Sequence, residues 1–147
     1  MPDPSILEDM DVAIERVVDG IKKNEKIAVF GDYDVDGSTS CSILVNYFKK
    51  INIDILFHIP NRFTEGYGPN IESFKNFKSK NVSIIFTVDC GTMSFDEMSF
   101  SKQEKLDVII LDHHQAEINL PEAFAVINPN RICLLYTSDA ADARDSV

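Results

Sequence analysis

The sequence predicts an α/β fold, a mostly parallel sheet with helices on both faces. Two observations predict it. Short apolar, β-rich runs alternate with stretches of helical periodicity along most of the chain, the pattern of parallel strands joined by crossover helices. The segments GDYDVDG, VDCG and LDHH each follow directly on one of those apolar runs. In open α/β sheets the functional crevice lies beyond the carboxyl ends of the strands, so the three polar clusters are expected to converge on one rim.

The elements are read in order. Ile6, Leu7, Met10, Ile14, Val17, Val18 and Ile21 recur at helical spacing, with Ser5 as the expected N-cap and Asn24 near the end. Residues 26–30 (KIAVF) form a strand that stops at Gly31 and the acidic loop. A helix is expected over 38–50 and a strand over 53–59, ending at Pro60. NRFTEGYGPN reads as a loop from its glycines and proline. Ile71, Phe74, Phe77 and Lys78 suit a short helix, and residues 82–88 (VSIIFTV) a buried strand. Phe95, Met98 and Leu106 indicate a helix before the strand at 108–111 (VIIL), and 124–127 is a last short strand before NPNR.

The bulk properties set limits on function. The chain has 147 residues, 44% of them hydrophobic, enough for one domain with a real core. No apolar run approaches a membrane span, and the acidic start MPDPSILEDMD lacks the regions of a signal peptide. No membrane association and a cytoplasmic address are therefore expected. Cys41, Cys90 and Cys133 are far apart and form no CxxC, which argues against a disulfide framework or a zinc site. The net charge of −10 argues against strong nucleic-acid binding by this segment alone. Acidic residues gathered around divalent ions would lose part of that charge.

The clusters carry the chemistry. Asp32, Asp34 and Asp36 alternate in GDYDVDG, and carboxylates so placed repel unless a cation holds them together. The alternative is a solvated acidic turn with an N-cap. Gly37 suits a tight turn into the next helix, whose start, with Ser38 and Thr39, suits a phosphate oxygen. Asp89 after VSIIFTV is a weak signal by itself, and taken alone it reads better as a helix cap than as a ligand. Asp112, His113 and His114 follow VIIL, and the chain has three histidines in all. Imidazole is a common transition-metal ligand, and a neighbouring carboxylate can orient it. Carboxylates with imidazole suit Mn2+, with Mg2+ or another first-row ion as the alternative. Such a set on one rim can bridge two metals, which activate water and stabilise the leaving oxygen in phosphoester cleavage.

GDYDVDGSTS, TVDCGTMS and LDHHQ resemble, in order and separation, the three opening motifs of the DHH phosphoesterases. NRFTEGYG and INPNR are similar to segments of the RecJ branch of that family. The resemblance covers residues 26–131. It implies metal-dependent phosphodiester hydrolysis, in the form of a 5′-to-3′ exonuclease on single-stranded DNA used in repair and recombination. Carried over by motif, Asp34, Asp36, Asp89 and His113 are implied metal ligands. Asp112 is implied as a ligand or the orienter of one, and His114 as a contact to the scissile phosphate or the second metal. Arg62, Glu65 and Tyr67 fall in the EGYG segment, and Arg62 can engage phosphate bidentately. Asp32 lies within the first motif without an assigned role. His58 fits no motif and reads as structural.

The resemblance implies further parts: a fourth motif with another metal-binding Asp, a DHH-associated domain and an OB-fold. ICLLYTSDAADARDSV does not resemble that continuation. The expected organisation is an incomplete catalytic domain over 1–131 and a foreign tail over 132–147, with weak or absent activity. The other readings are a DHH phosphodiesterase of small substrates, such as cyclic dinucleotides or short RNA, and a non-catalytic metal- or partner-binding fragment. The sequence is silent on protein partners in repair.

Overall fold

The structure is a computed structural model that describes residues 3–131. The tail read over 132–147, with Cys133, lies outside the described residues. The described strands are β1 (Lys26–Gly31), β2 (Leu56–His58), β3 (Val82–Val88), β4 (Asp107–Leu111) and β5 (Ala125–Ile127). They form one parallel sheet in the order β2-β1-β3-β4-β5. The helices are α1 (Met10–Lys22), α2 (Val35–Lys50), α3 (Ile71–Ser79) and α4 (Phe95–Gln103).

Alternation within each strand splits the core into two layers. Ile27 and Val29 of β1, Ile84, Phe86 and Val88 of β3, and Ile109 of β4 face Ala13 of α1 and Cys41 and Phe48 of α2. Ala28 and Phe30, Ile85, and Val108 and Ile110 face Phe74 and Phe77 of α3 and Met98 of α4. Both faces are thus covered, as the apolar runs predict. Among the described residues no helix is long and apolar enough to cross a membrane. Cys41 and Cys90 are buried free thiols.

Several element boundaries differ from expectation. Ser5 does not cap the first long helix. It lies in a short 3-10 turn, Pro4–Ile6, capped by the Asp3 carboxylate. The helix begins at Met10 because Asp9 takes a left-handed conformation, φ 63. The Asp9 carboxylate accepts from the Val126 N–H at 3.0 Å and from Arg131 at 2.8 Å, pinning the helix start to β5. The second helix starts three residues earlier than expected, with Asp34 as its N-cap and an Asp34 Oδ1 to Gly37 N–H bond of 2.9 Å. The strand read over 53–59 shrinks to the segment that pairs with β1, and Leu106 follows α4 instead of belonging to it.

Candidate metal centre

The sheet register builds the site. Gly31 pairs with Val88, Val88 with Leu111, and Leu111 with Ile127. The next residue on each strand is polar: Asp32, Asp89, Asp112 and Asn128. The ladder continues through them, with Asp32 N–H to Val88 O at 3.4 Å, Asp89 N–H to Leu111 O at 2.9 Å and Asp112 N–H to Ile127 O at 3.1 Å. These four residues form a row along the carboxyl rim and are exposed by only 1%, 6%, 7% and 5%. Buried carboxylates side by side cost several kcal/mol each unless they are paired.

Asp112 and Asp89 are paired in different ways, and Asp32 keeps one oxygen unpaired. Asp112 is saturated with donors. Its Oδ1 accepts the His113 N–H at 2.8 Å, the His114 N–H at 3.1 Å and His114 Nδ1 at 2.7 Å, and its Oδ2 accepts the Thr92 N–H at 3.1 Å. Burial pushes its pKa up, but the hydrogen bonds from Thr92 and His114 outweigh burial and hold the carboxyl below its ordinary value. The same contact raises the His114 imidazole above its ordinary value. Asp89 adopts φ 60, which turns it out of the strand direction, and its Oδ1 meets His113 Nε2 at 2.9 Å. Burial raises the Asp89 carboxyl, against the pull of the His113 hydrogen bond, and the charge on Asp34 adds to the rise. Asp32 Oδ1 is buried with no hydrogen-bond partner.

Two glycines make the rim possible. A Cβ on Gly37 would lie 2.6 Å from both the N and the O of Asp32, so the first turn of α2 packs directly on that backbone. The expectation that Gly37 provides a turn is corrected: it lies inside the helix and serves a close approach. Gly91 has φ 113, and a Cβ there would lie 2.7 Å from Thr87 Oγ1.

Donor atoms of Asp89, His113 and His114 lie within 4.8 Å of one another, the group among the described residues fit to hold a metal ion. Because His114 Nδ1 faces the Asp112 carboxylate, Nε2 is the nitrogen left for a ligand. The residues present fit a divalent cation: three convergent oxygen and nitrogen donors, a buried Asp32 oxygen without a partner, and a neighbouring Cys90 whose thiol burial pushes far up. With no thiolate on offer, the set favours Mn2+ or Mg2+ over soft metals.

The other residues singled out from the sequence are placed as follows. Asp34 and Asp36 lie on the exposed start of α2, outside the group of three, with Asp34 within electrostatic reach of Asp89. Ser38 does not offer a free helix-terminal N–H, since its own is bonded to Asp34 O at 3.0 Å. Ser38 and Arg62 nevertheless line one groove with Tyr33, Asp34, Val35 and Thr39. The Arg62 guanidinium sits 5.6 Å from the Tyr33 ring centroid. The Tyr67 hydroxyl is 3.5 Å from His114 Nε2, and its ring meets that of Tyr33 edge-on. Glu65 bonds His58 Nε2 at 2.6 Å and the Asn61 N–H at 2.8 Å, so His58 fastens a loop. Asp89 caps no helix; α4 starts later, after Ser94. Sequence reasoning picked out the segments TVDCGTMS and INPNR but gave Thr92, Asn128 and Asn130 no role. Asn128 follows the last strand as Asp32, Asp89 and Asp112 follow theirs, and that rule would have found it.

Comparison with known proteins agrees with this geometry. The DHH family, N-terminal domain, matches residues 26–137. The chain is 40% identical over 129 residues to the single-stranded-DNA-specific exonuclease RecJ of Bacillus subtilis, covering 88% of this chain and 16% of that protein. It is 35% identical over 131 residues to the Haemophilus influenzae protein of the same name, covering 88% of this chain and 23% of that one. The chain therefore spans less than a quarter of these relatives. A crystal structure of exonuclease RecJ bound to manganese superposes with a TM-score of 0.76 at 29% identity, over 88% of this chain and 32% of that chain. The Mn2+ complex of RecJ from Thermus thermophilus gives a TM-score of 0.69 at 26% identity, over 84% of this chain and 17% of that chain. Motifs, sheet register and similarity agree, and the chain belongs to the DHH family, whose N-terminal domain it carries.

Proposed function

We propose that this chain carries a divalent-metal centre for phosphodiester hydrolysis, acting as part of a RecJ-type 5′-to-3′ exonuclease on single-stranded DNA. The observation that carries the reading is the convergence of Asp89, His113 and His114, on a rim whose next strand end holds Asp32. Asp89 and His113 hold the ion, with Mn2+ favoured over Mg2+. His114 either joins them or receives the scissile phosphate. Asp34 and Asp36 are further candidate ligands, and a two-metal centre is the natural use of so many carboxylates.

A bound divalent ion would polarise a phosphate oxygen and make an attacking water acidic enough to ionise near neutral pH. The chain's own residues prepare that chemistry. Asp112 fixes the His114 ring through Nδ1 and leaves Nε2 facing the centre. Arg62 lines a groove with Asp34 and Ser38, which supports a role for it in gripping a phosphate of the strand. The relatives named as single-stranded-DNA-specific exonucleases support that substrate, and a cytoplasmic role in DNA repair and recombination goes with it.

The test is a substrate panel of long single-stranded DNA, short RNA and cyclic dinucleotides, with Mn2+ and with Mg2+. Release of 5′-mononucleotides from DNA, abolished in Asp89→Ala, supports the reading. Preference for cyclic dinucleotides would instead support the small-substrate phosphodiesterase, which the net charge of −10 favours. Binding of Mn2+ with no turnover on any substrate leaves a metal-binding module, and no Mn2+ binding removes every metal reading.

A further inference from the structure

Asn128 is the fourth member of the row that holds Asp32, Asp89 and Asp112, and the only neutral one. Its side chain is buried and both of its polar atoms are hydrogen-bonded. Nδ2 donates to Thr92 Oγ1 at 3.0 Å and to the main-chain O of His114 at 2.9 Å, while Oδ1 accepts the Asn130 N–H at 2.8 Å. Asn130 Nδ2 in turn donates to the main-chain O of His113. The peptide carbonyls of both histidines are thus held from the loop after β5. Thr92, bonded by Asn128, gives its own N–H to Asp112 Oδ2 at 3.1 Å, and Asp112 Oδ1 holds His114 Nδ1 at 2.7 Å. Two routes run from one buried amide to His114. One ends on its carbonyl and the other, through Thr92 and Asp112, on its ring.

We propose that Asn128 is a positioning residue of the metal centre: it fixes the orientation and tautomer of His114, so that Nε2 presents its lone pair beside Asp89 and His113. The inference rests on the metal reading above and deepens it. The position needs an amide. A carboxylate would set an acceptor against the His114 carbonyl and add a charge to a row that already holds Asp32, Asp89 and Asp112. An apolar side chain would leave that carbonyl without its donor. Both polar atoms of Asn128 are already committed, Nδ2 to Thr92 Oγ1 and the His114 carbonyl and Oδ1 to the Asn130 N–H, so its effect passes through other residues.

The experiment compares the 147-residue chain with Asn128→Asp, Thr92→Val and Thr92→Ser. It reads Mn2+ affinity by calorimetry. It also reads the ring 15N shifts of His114 in metal-free protein, at a pH where the ring is neutral. Those shifts report which nitrogen carries the proton. The wild type is expected to show a single Nδ1–H tautomer. Asn128→Asp should mix the tautomers and weaken Mn2+ binding by about 10–100-fold, the usual effect of losing an outer partner of a metal ligand. Thr92→Val should move both readouts the same way by less, and Thr92→Ser, which keeps the hydroxyl, should restore them. A folded Asn128→Asp with wild-type His114 signals and wild-type Mn2+ affinity overturns the proposal. Should Asn128→Asp fail to fold, the Thr92 pair decides it: unchanged His114 signals in Thr92→Val overturn it equally. Absence of Mn2+ uptake by the wild type would refute the metal reading instead, while the His114 tautomer still decides the positioning role.

Discussion

Asp89 and His113 stand 24 positions apart in the chain, and Oδ1 of one meets Nε2 of the other at 2.9 Å. Each is fixed by a neighbouring strand of the same ladder, Asp89 just past β3 and His113 two residues past the end of β4. Their meeting is a product of strand register.

Asp89→Asn separates binding from stability. Asp89 is buried beside other carboxylates, so removing its charge removes a repulsion in the metal-free protein. The metal-free melting temperature should hold or rise. Mn2+ affinity, by calorimetry, should fall by at least about tenfold, since a neutral amide is a poorer ligand than a carboxylate. A simultaneous loss of metal-free stability would show that Asp89 works mainly as a structural hydrogen-bond acceptor.

Divalent ions should stabilise the fold in a saturable way. A ligand that binds only the native state at a hundred times its Kd adds about 2.7 kcal/mol. For a domain of this size that is a rise on the order of 10 °C. Scanning calorimetry with Mn2+ should show it, and a chelator should reverse it. An unchanged melting temperature at saturating Mn2+ contradicts a native-state site.

Gly37→Ala sets two effects against each other. Helix propensity favours alanine by about 1 kcal/mol. The new Cβ would sit 2.6 Å from Asp32 N and O, which are backbone atoms and cannot swing away. Overpacking of this kind costs about 1–3 kcal/mol, and the steric term should win. Urea unfolding should show a net loss, and Mn2+ binding should weaken as Asp32 is displaced.

The loop at 61–67 should be acid-sensitive. The Asn61 N–H, opposed by slight desolvation and helped by His58, holds the Glu65 carboxyl below its ordinary value. A carboxyl depressed in the folded state contributes its hold above its unfolded pKa and loses it as pH falls through the lower folded value. The protection of the Asn61 amide, its exchange measured against the intrinsic rate at each pH, should therefore fall in acid, and Glu65→Gln should make that protection low at every pH. Protection of the Asn61 amide that is the same in both proteins at neutral pH, where Glu65 is ionised, would show that Glu65 does not fasten the loop.

Much of this was legible in the sequence. KIAVF and VSIIFTV, apolar on both faces, announced central parallel strands, and the polar residue after each announced the rim. The start of α1 was not legible, because Asp9 is held by Val126 and Arg131, which are 117 and 122 positions away. Ser38 was placed too near a helix end because Asp34, a metal candidate on its charge, is the residue that caps the helix. Asn128 and Thr92 lie in the segments INPNR and TVDCGTMS but received no role, because their partners stand 14 to 36 positions away in the chain. Their importance lies in what they bond, which only the folded chain brings together.

The continuous row from Gly31 through Val88 and Leu111 to Ile127 has a consequence for how this chain can change over time. Helix surfaces and connecting loops can gain or lose residues without moving the rim. A single-residue deletion inside β3 cannot be absorbed in the same way, because side chains alternate across a strand and a slip of one reverses every one of them. Asp89 would take the place of Val88 and point at the helix layer that Val88 now faces. Sequence lengths should therefore be free to vary between these strands and nearly frozen within them.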